Sequence, residues 1–274
     1  MEDANKKRKR DENTNDDDSS SSGSKKMELL SAWFCPYAQR AWMAMEIKCP
    51  GQFQVTEALA ITSPDGRYGK DSLSRIPLLT ESNPAGLVPV IIDRRNENDK
   101  PVCVNDSLIC VEYIDEVFSD NGTTKLLPGG PSQRAKARMF SSRLNNDIAT
   151  TFYVLLLNQH KVDQDIAAKK MLAAVLDFCQ DCKGPFFYGD EISIVDITIA
   201  PWLVGPRMEG VSKHYRNFEV PKSTEYCKYF EWRDNMLKHP AFVATVPADF
   251  EATKIAYSRY ADGTALIVKN NENS

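Results

Sequence analysis

Ser31-Ala32-Trp33-Phe34-Cys35-Pro36-Tyr37-Ala38-Gln39-Arg40 lies where two kinds of sequence meet. Upstream, the mostly apolar run Met27 to Phe34 predicts a buried strand that ends at Cys35. Downstream, Ala38, Ala41, Trp42 and Met45 recur at helical spacing, so Tyr37 to Lys48 predicts a helix, stopped by Pro50-Gly51. Proline suits the first helical position, because its missing N–H would have had no partner there. Cys35 is thereby expected at a helix N-terminus, where free N–H groups and the helix dipole favour an anion. A thiolate is such an anion, and a site that lowers a cysteine pKa turns a minor thiolate fraction at pH 7 into a major one. The competing reading is a buried cysteine that only packs.

Composition narrows the classes. A chain of 274 residues with 42% hydrophobic and 26% charged side chains fits a globular protein of one large or two ordinary domains. A net charge of −4 gives no argument for nucleic acid as a partner. Seven cysteines, an odd number in a chain of this size, favour free thiols in a reducing compartment over a disulfide framework. Apolar runs such as Phe152 to Leu157 fall far short of the roughly 20 residues of a membrane span, so no membrane partner is expected.

Working outward, residues 1–26 form a charged tail with the basic block Lys6 to Arg10 and the acidic Asp16-Asp17-Asp18. With almost nothing apolar to bury, the tail reads as disordered. Its basic block fits a nuclear localisation signal, against the plainer reading of a solvated charge run in a cytoplasmic protein. Phe53 to Leu59 predicts a second strand. The polar stretch Thr62 to Ser82 is long for a connection and predicts a short helix or a binding loop. Val90 to Asp93 and Pro101 to Val104 predict a hairpin, and Asp106-Ser107 caps a helix from Leu108 to Phe118. Leu126 to Pro131 breaks this order. Beyond it the chain reads helical: Ser132 to His160, Val162 to Lys183, an apolar helix opened by the capping box Ser193 to Asp196, Thr224 to Lys238 ended by His239-Pro240, and Asp249 to Tyr260.

Four stretches in this order resemble the cytosolic glutathione transferases of the omega class, or an omega-like or lambda-like relative. They are Cys35 to Arg40, Asn83 to Val90, Asn105-Asp106-Ser107 leading to Glu116, and the box Ser193 to Asp196. The resemblance covers roughly residues 27 to 262. It implies an α/β thioredoxin-like domain over residues 27–125 and an all-helical domain over 131–262, followed by a loose tail at 263–274. It implies a cis Val88–Pro89 bond and glutathione as co-substrate beside catalytic Cys35, with no metal. Glutathione would be held by Tyr37, Lys70, the backbone at Val88 and Pro89, and by Asp106 and Ser107. Trp202, Arg207, His214 and Tyr215 would form the second-substrate pocket, the alternative for Trp202 being plain core. A homodimer is implied as well.

Most members of that family activate the glutathione thiol with a tyrosine or serine hydroxyl. A cysteine in that position implies thiol–disulfide exchange through a Cys35–glutathione mixed disulfide, with glutathionylated thiols or dehydroascorbate as substrates. Ala38 stands where a dithiol site would carry its second cysteine, so a monothiol route is expected. The rivals are conventional conjugation of glutathione to electrophiles, a non-enzymatic glutathione-binding regulator, and a membrane-inserting relative that no sufficiently apolar stretch supports. Cys179-Gln180-Asp181-Cys182 reads as two helix cysteines rather than a metal or redox motif, and His160, His214 and His239 lack partners at ligand spacing.

Overall fold

The computed structural model describes residues 26–96, 98–119 and 122–266. The tail with Lys6 to Arg10, and the chain after residue 266, lie outside the described residues.

The predicted strand into Cys35 is β1 (Met27–Ser31), all five of its residues buried. It pairs in parallel with β2 (Phe53–Glu57) and antiparallel with β5 (Val90–Asp93), which pairs antiparallel with β6 (Val102–Asn105). The sheet order is β2-β1-β5-β6. Burial on both faces explains why β1 and β5 read as continuous apolar runs. α1 (Pro36–Lys48) and α3 (Ser107–Val117) pack together beside the sheet. The expected α1 stripe is too narrow. Ala38, Ala41 and Met45 are buried, but so are Met43, Ala44, Arg40 and Lys48, because the helical part covers the far side of α1.

The stretch Thr62 to Ser82 holds a strand as well as the expected helix, and that strand pairs with one that ends just before Thr62. β3 (Leu59–Ile61) and β4 (Leu73–Arg75) form a separate small antiparallel hairpin, followed by α2 (Pro77–Ser82). The predicted second strand, Phe53 to Leu59, breaks at Ala58 where the chain turns into β3, and the three-residue β4 in a polar stretch gives no usable alternation.

The second half is helical, as expected. α4 (Pro131–Leu144) runs through a π-helical turn at Asn145–Thr150 into α5 (Thr151–Leu157). α6 (Lys161–Asp181) and α7 (Ile194–Leu203) follow. A second π-helical segment, Pro206–Ser212, leads to α8 (Lys213–Arg216). α9 (Cys227–Met236), α10 (Pro240–Thr245) and α11 (Phe250–Ala261) complete the helical part. His239-Pro240 both stops one helix and starts the next: His239 Nδ1 accepts the Ala241 N–H at 3.2 Å.

The box at the start of α7 closes around Asp196, which is fully buried. Its carboxylate accepts from Ser193 N–H (2.8 Å), Ser193 Oγ (2.6 Å), Phe187 N–H (2.9 Å) and Trp232 Nε1 (2.9 Å), so one side chain ties together α7, the segment around Phe187 that precedes it, and α9. No helix among the described residues is long and apolar enough to cross a membrane.

Candidate active site

Cys35 is the N-cap of α1, with Pro36 at the first helical position. Its sulfur lines a cavity of about 650 Å³ between the sheet part and the helices. The Val88–Pro89 bond is cis, and the Cys35 S–H faces the Val88 carbonyl at 4.0 Å. The cavity wall continues through Asn105, Asp106 and Ser107 at the start of α3. Asp106 holds its position by capping α3: Oδ1 accepts the N–H groups of Leu108 (3.0 Å) and Ile109 (3.4 Å). Its φ of +69° is one that few residues other than glycine, asparagine and aspartate adopt readily.

The thiol environment is divided. Burial pushes the Cys35 pKa above its ordinary value. The N–H groups of Ala38 and Tyr37 and the charges of Arg207 and Arg40 pull the other way without reversing it. The helix start therefore supplies the expected stabilisation of a thiolate, but loss of solvent outweighs it.

Arg40 is a site residue that helical periodicity hid. It is 1% exposed, yet lines the cavity. It donates to Ser107 Oγ (3.1 Å), Asn145 Oδ1 (2.8 Å) and twice to the Thr198 carbonyl (3.0 and 2.7 Å). Its guanidinium also lies 4.4 Å from the centre of the Trp202 ring. Burial without a direct carboxylate partner lowers its pKa to about 10, so it stays charged at neutral pH. Asn145 begins the π-helical turn, a feature often found at functional sites.

Much of the rest of the lining is aromatic. Tyr37, Tyr68, Tyr153, Tyr257 and Tyr260 line the cavity with Phe34, Leu59, Leu157 and Leu266. The rings interlock: Tyr68 stacks on Tyr260 at 5.1 Å, and Tyr153 meets Tyr260 at 5.1 Å and Tyr257 at 6.4 Å. Burial raises the pKa of Tyr37, Tyr153, Tyr257 and Tyr260, which keeps these phenols protonated.

Cys35, Tyr37, Val88, Pro89, Asp106 and Ser107 thus converge on one cavity. Five other expected site residues do not. Lys70 is exposed and away from the cavity; its backbone N–H pairs with the Ala265 carbonyl, because the long loop folds against the C-terminal segment. Trp202 is fully buried beneath Tyr37, its ring 4.9 Å from that ring, and behaves as core. Arg207 is fully buried behind Cys35, bonded to Gln39 Oε1 (2.7 Å), Tyr257 Oη (3.1 Å) and the carbonyls of Phe34 and Pro201 (both 3.1 Å). It braces the loop that carries Cys35 instead of lining the pocket. His214 is exposed, and Tyr215 donates to the Lys254 carbonyl at 2.9 Å, both outside the cavity. The tyrosine wall takes the place that these residues were expected to fill. Among the described residues no group of side chains could hold a metal ion.

Residues 34–117 match the family model for the glutathione S-transferase N-terminal domain. Glutathione S-transferase U16 of Arabidopsis thaliana is 30% identical over 243 residues, covering 85% of this chain and 91% of that protein. The chain belongs to the glutathione S-transferase family. Two solved structures share the fold, each at 24% identity. One is glutathione transferase Omega 3C of Trametes versicolor, with a TM-score of 0.69 and coverage of 86% of this chain and 91% of that one. The other is a Tau class transferase of mango, Mangifera indica, with a TM-score of 0.68 and coverage of 86% and 98%. The thioredoxin-like first part and helical second part are those of a glutathione transferase, and glutathione is the family's co-substrate.

Proposed function

We propose that this glutathione transferase is an omega-like, cysteine-type thiol transferase. The observation that carries the reading is the position of the Cys35 sulfur. It faces the Val88 carbonyl at 4.0 Å, and Cys35 lines the same cavity as Asp106 and Ser107. The Val88 backbone suits the cysteinyl part of glutathione. Asp106 suits the γ-glutamyl ammonium, while the Ser107 hydroxyl and the helix-start N–H groups suit its carboxylate. In the reaction, Cys35 Sγ attacks the glutathione sulfur of a mixed disulfide. A Cys35–glutathione disulfide forms, and the other thiol leaves with the proton. A second glutathione thiolate then attacks the bound glutathione sulfur, releasing glutathione disulfide and Cys35. Ala38 supplies no second sulfur, which favours the monothiol route.

The second reading is conjugation of glutathione to electrophiles, favoured by the Tau class name of the mango structure with its similar fold. Protonated tyrosines along the cavity are hydroxyl donors of the kind conjugation uses, so the preference for thiol transfer rests on Cys35 at the helix start. The two readings separate in Cys35→Ser: thiol transfer is lost while conjugation is retained or rises. Full disulfide exchange in that variant would defeat the first reading.

The protein is further proposed to act as a homodimer in the cytoplasm. Exposed Val102 and Ile109 on the first part and Met139, 73% exposed, on α4 supply apolar surface for a first-part-to-helix contact. All seven cysteines are free, as suits a reducing compartment.

A further inference from the structure

Tyr68 reaches the cavity from the connection between β3 and β4. The ends of that connection are tied together by the Thr62 N–H, which donates to the Ser72 carbonyl at 2.9 Å. Inside the closure the Ser63 and Ser72 hydroxyls both donate to the Arg67 carbonyl (2.7 and 3.2 Å). Residues 62–72 are thus a compact loop packed by its own side chains. The loop lies as a strap along α11 and the segment after it. The Tyr68 N–H donates to the Ala256 carbonyl (3.0 Å) and the Lys70 N–H to the Ala265 carbonyl (3.1 Å). Arg67 pairs with Asp262 and donates from Nε to Ser258 Oγ at 2.8 Å. Arg259 answers from the helix by pairing with Asp71 at 2.5 Å. Gly69 sits where strap and helix cross: a Cβ there would collide with the Arg259 guanidinium, so no side chain fits while that ion pair stands.

These ties fix the Tyr68 ring. It stacks on Tyr260 with the ring planes 16° apart, and its centre lies 5.6 Å from that of Phe34, the residue before Cys35. Tyr68 and Tyr260 are half-buried and line the cavity, whereas Tyr257 is buried behind them. A purely aliphatic lining would receive any apolar group of suitable size. Rings held at fixed angles favour a flat one, which can stack or meet them edge to face.

We propose that Tyr68 is a specificity-determining residue, fixed by the strap so that the cavity selects glutathione derivatives carrying a planar aromatic ring on their sulfur. The inference rests on the reading that glutathione lies in the cavity with its sulfur at Cys35. Phe34 then links that sulfur's surroundings to Tyr68, which places the strap's ring near the group that the sulfur carries. In thiol transfer that group is the leaving thiol, and in conjugation it is the electrophile, so the selection holds for either reaction. Asp71 and Arg259 lie outside this contact and act through Tyr68 as positioning residues.

The test measures calorimetric dissociation constants of the full-length protein for three unreactive thioethers: S-methyl-, S-benzyl- and S-cyclohexylmethylglutathione. The last two match in carbon count, but only the benzyl group is flat. The parent is expected to bind S-benzylglutathione about fivefold more tightly than the cyclohexylmethyl compound. Tyr68→Phe keeps this ratio, and Tyr68→Leu lowers it about threefold. Asp71→Asn, which breaks the strap's ion pair away from the cavity, lowers the ratio in the same direction and leaves S-methylglutathione binding unchanged. A parent without the ring preference, a Tyr68→Leu protein that keeps it, or an Asp71→Asn protein with the parent's ratio would each overturn the proposal. Failure of S-methylglutathione to bind the parent would instead remove the glutathione site itself, and the proposal with it.

Discussion

Arg40 donates from Nη1 to Ser107 Oγ over 3.1 Å, joining the helix that begins at Cys35 to the helix expected to hold glutathione. The same guanidinium reaches Asn145 and the Thr198 carbonyl in the helical part, so one buried cation orients three elements around the cavity. A lysine has a point charge and no planar fork, and it cannot reproduce this set. Arg40→Lys is expected to raise the glutathione KM about tenfold or more and to destabilise the fold by about 3 kcal/mol, the cost of stranding buried partners. Steady-state kinetics and urea unfolding measure the two effects. An unchanged KM would remove Arg40 from the site.

Asp106 combines a cap, a left-handed backbone and a carboxylate on the cavity wall, and substitutions can separate these. Asp106→Asn tolerates the positive φ and keeps a capping oxygen, so its stability should lie within about 0.5 kcal/mol of the parent. Asp106→Ala loses the cap and strains the backbone, and is expected to cost about 2 kcal/mol. If the charge holds the γ-glutamyl ammonium, both variants raise the glutathione KM by a similar factor despite their different stabilities. A KM change in Asp106→Ala alone would mean that Asp106 acts only through the backbone.

The divided environment of Cys35 has a kinetic signature. Its pKa lies above the ordinary cysteine value, so the thiolate is a minor species at neutral pH in the free enzyme. Below that pKa the thiolate fraction grows about tenfold per pH unit. Alkylation of Cys35 by iodoacetamide should therefore keep rising from about pH 7 to about pH 9, where a low-pKa thiolate would give a plateau. A plateau would show that the N–H groups of Ala38 and Tyr37 prevail over burial.

His239 gives a stability prediction with a definite sign. Burial lowers its pKa below the ordinary 6.5, and its neutral Nδ1 accepts the Ala241 N–H that starts α10. The unfolded chain takes up a proton more readily than the folded one, so stability rises with pH. The contribution is complete above about pH 6.5 and is lost as pH falls through the lower folded value. His239→Asn keeps a capping acceptor without the titration. The parent Tm should accordingly drop more than the variant's between about pH 7 and about pH 5. Parallel Tm curves would contradict this.

Local grammar made much of this site legible. Cys35-Pro36 at a strand-to-helix junction, Asp106-Ser107 before an apolar stripe, and Ser193 to Asp196 each announce a helix start through short-range hydrogen bonding. All three fall where the sequence indicates. Beyond Tyr37, the tyrosine wall was not legible, because Tyr68, Tyr153 and the pair Tyr257 and Tyr260 come from separated parts of the chain and meet only through tertiary packing. Arg40 and Arg207 show the same limit from opposite sides. One sits in a helix pattern and proves to line the cavity, while the other follows an apolar helix and proves to be an internal brace. Neither pattern records which way a buried guanidinium turns.

The central claim is that Cys35 carries glutathione as a mixed disulfide. Mass spectrometry of the parent protein after incubation with glutathione disulfide tests it directly. The account predicts one retained glutathione, located on Cys35 and absent from Cys35→Ser. A protein left unmodified at Cys35 under conditions where other exposed thiols react would contradict it and return the cavity to conjugation chemistry.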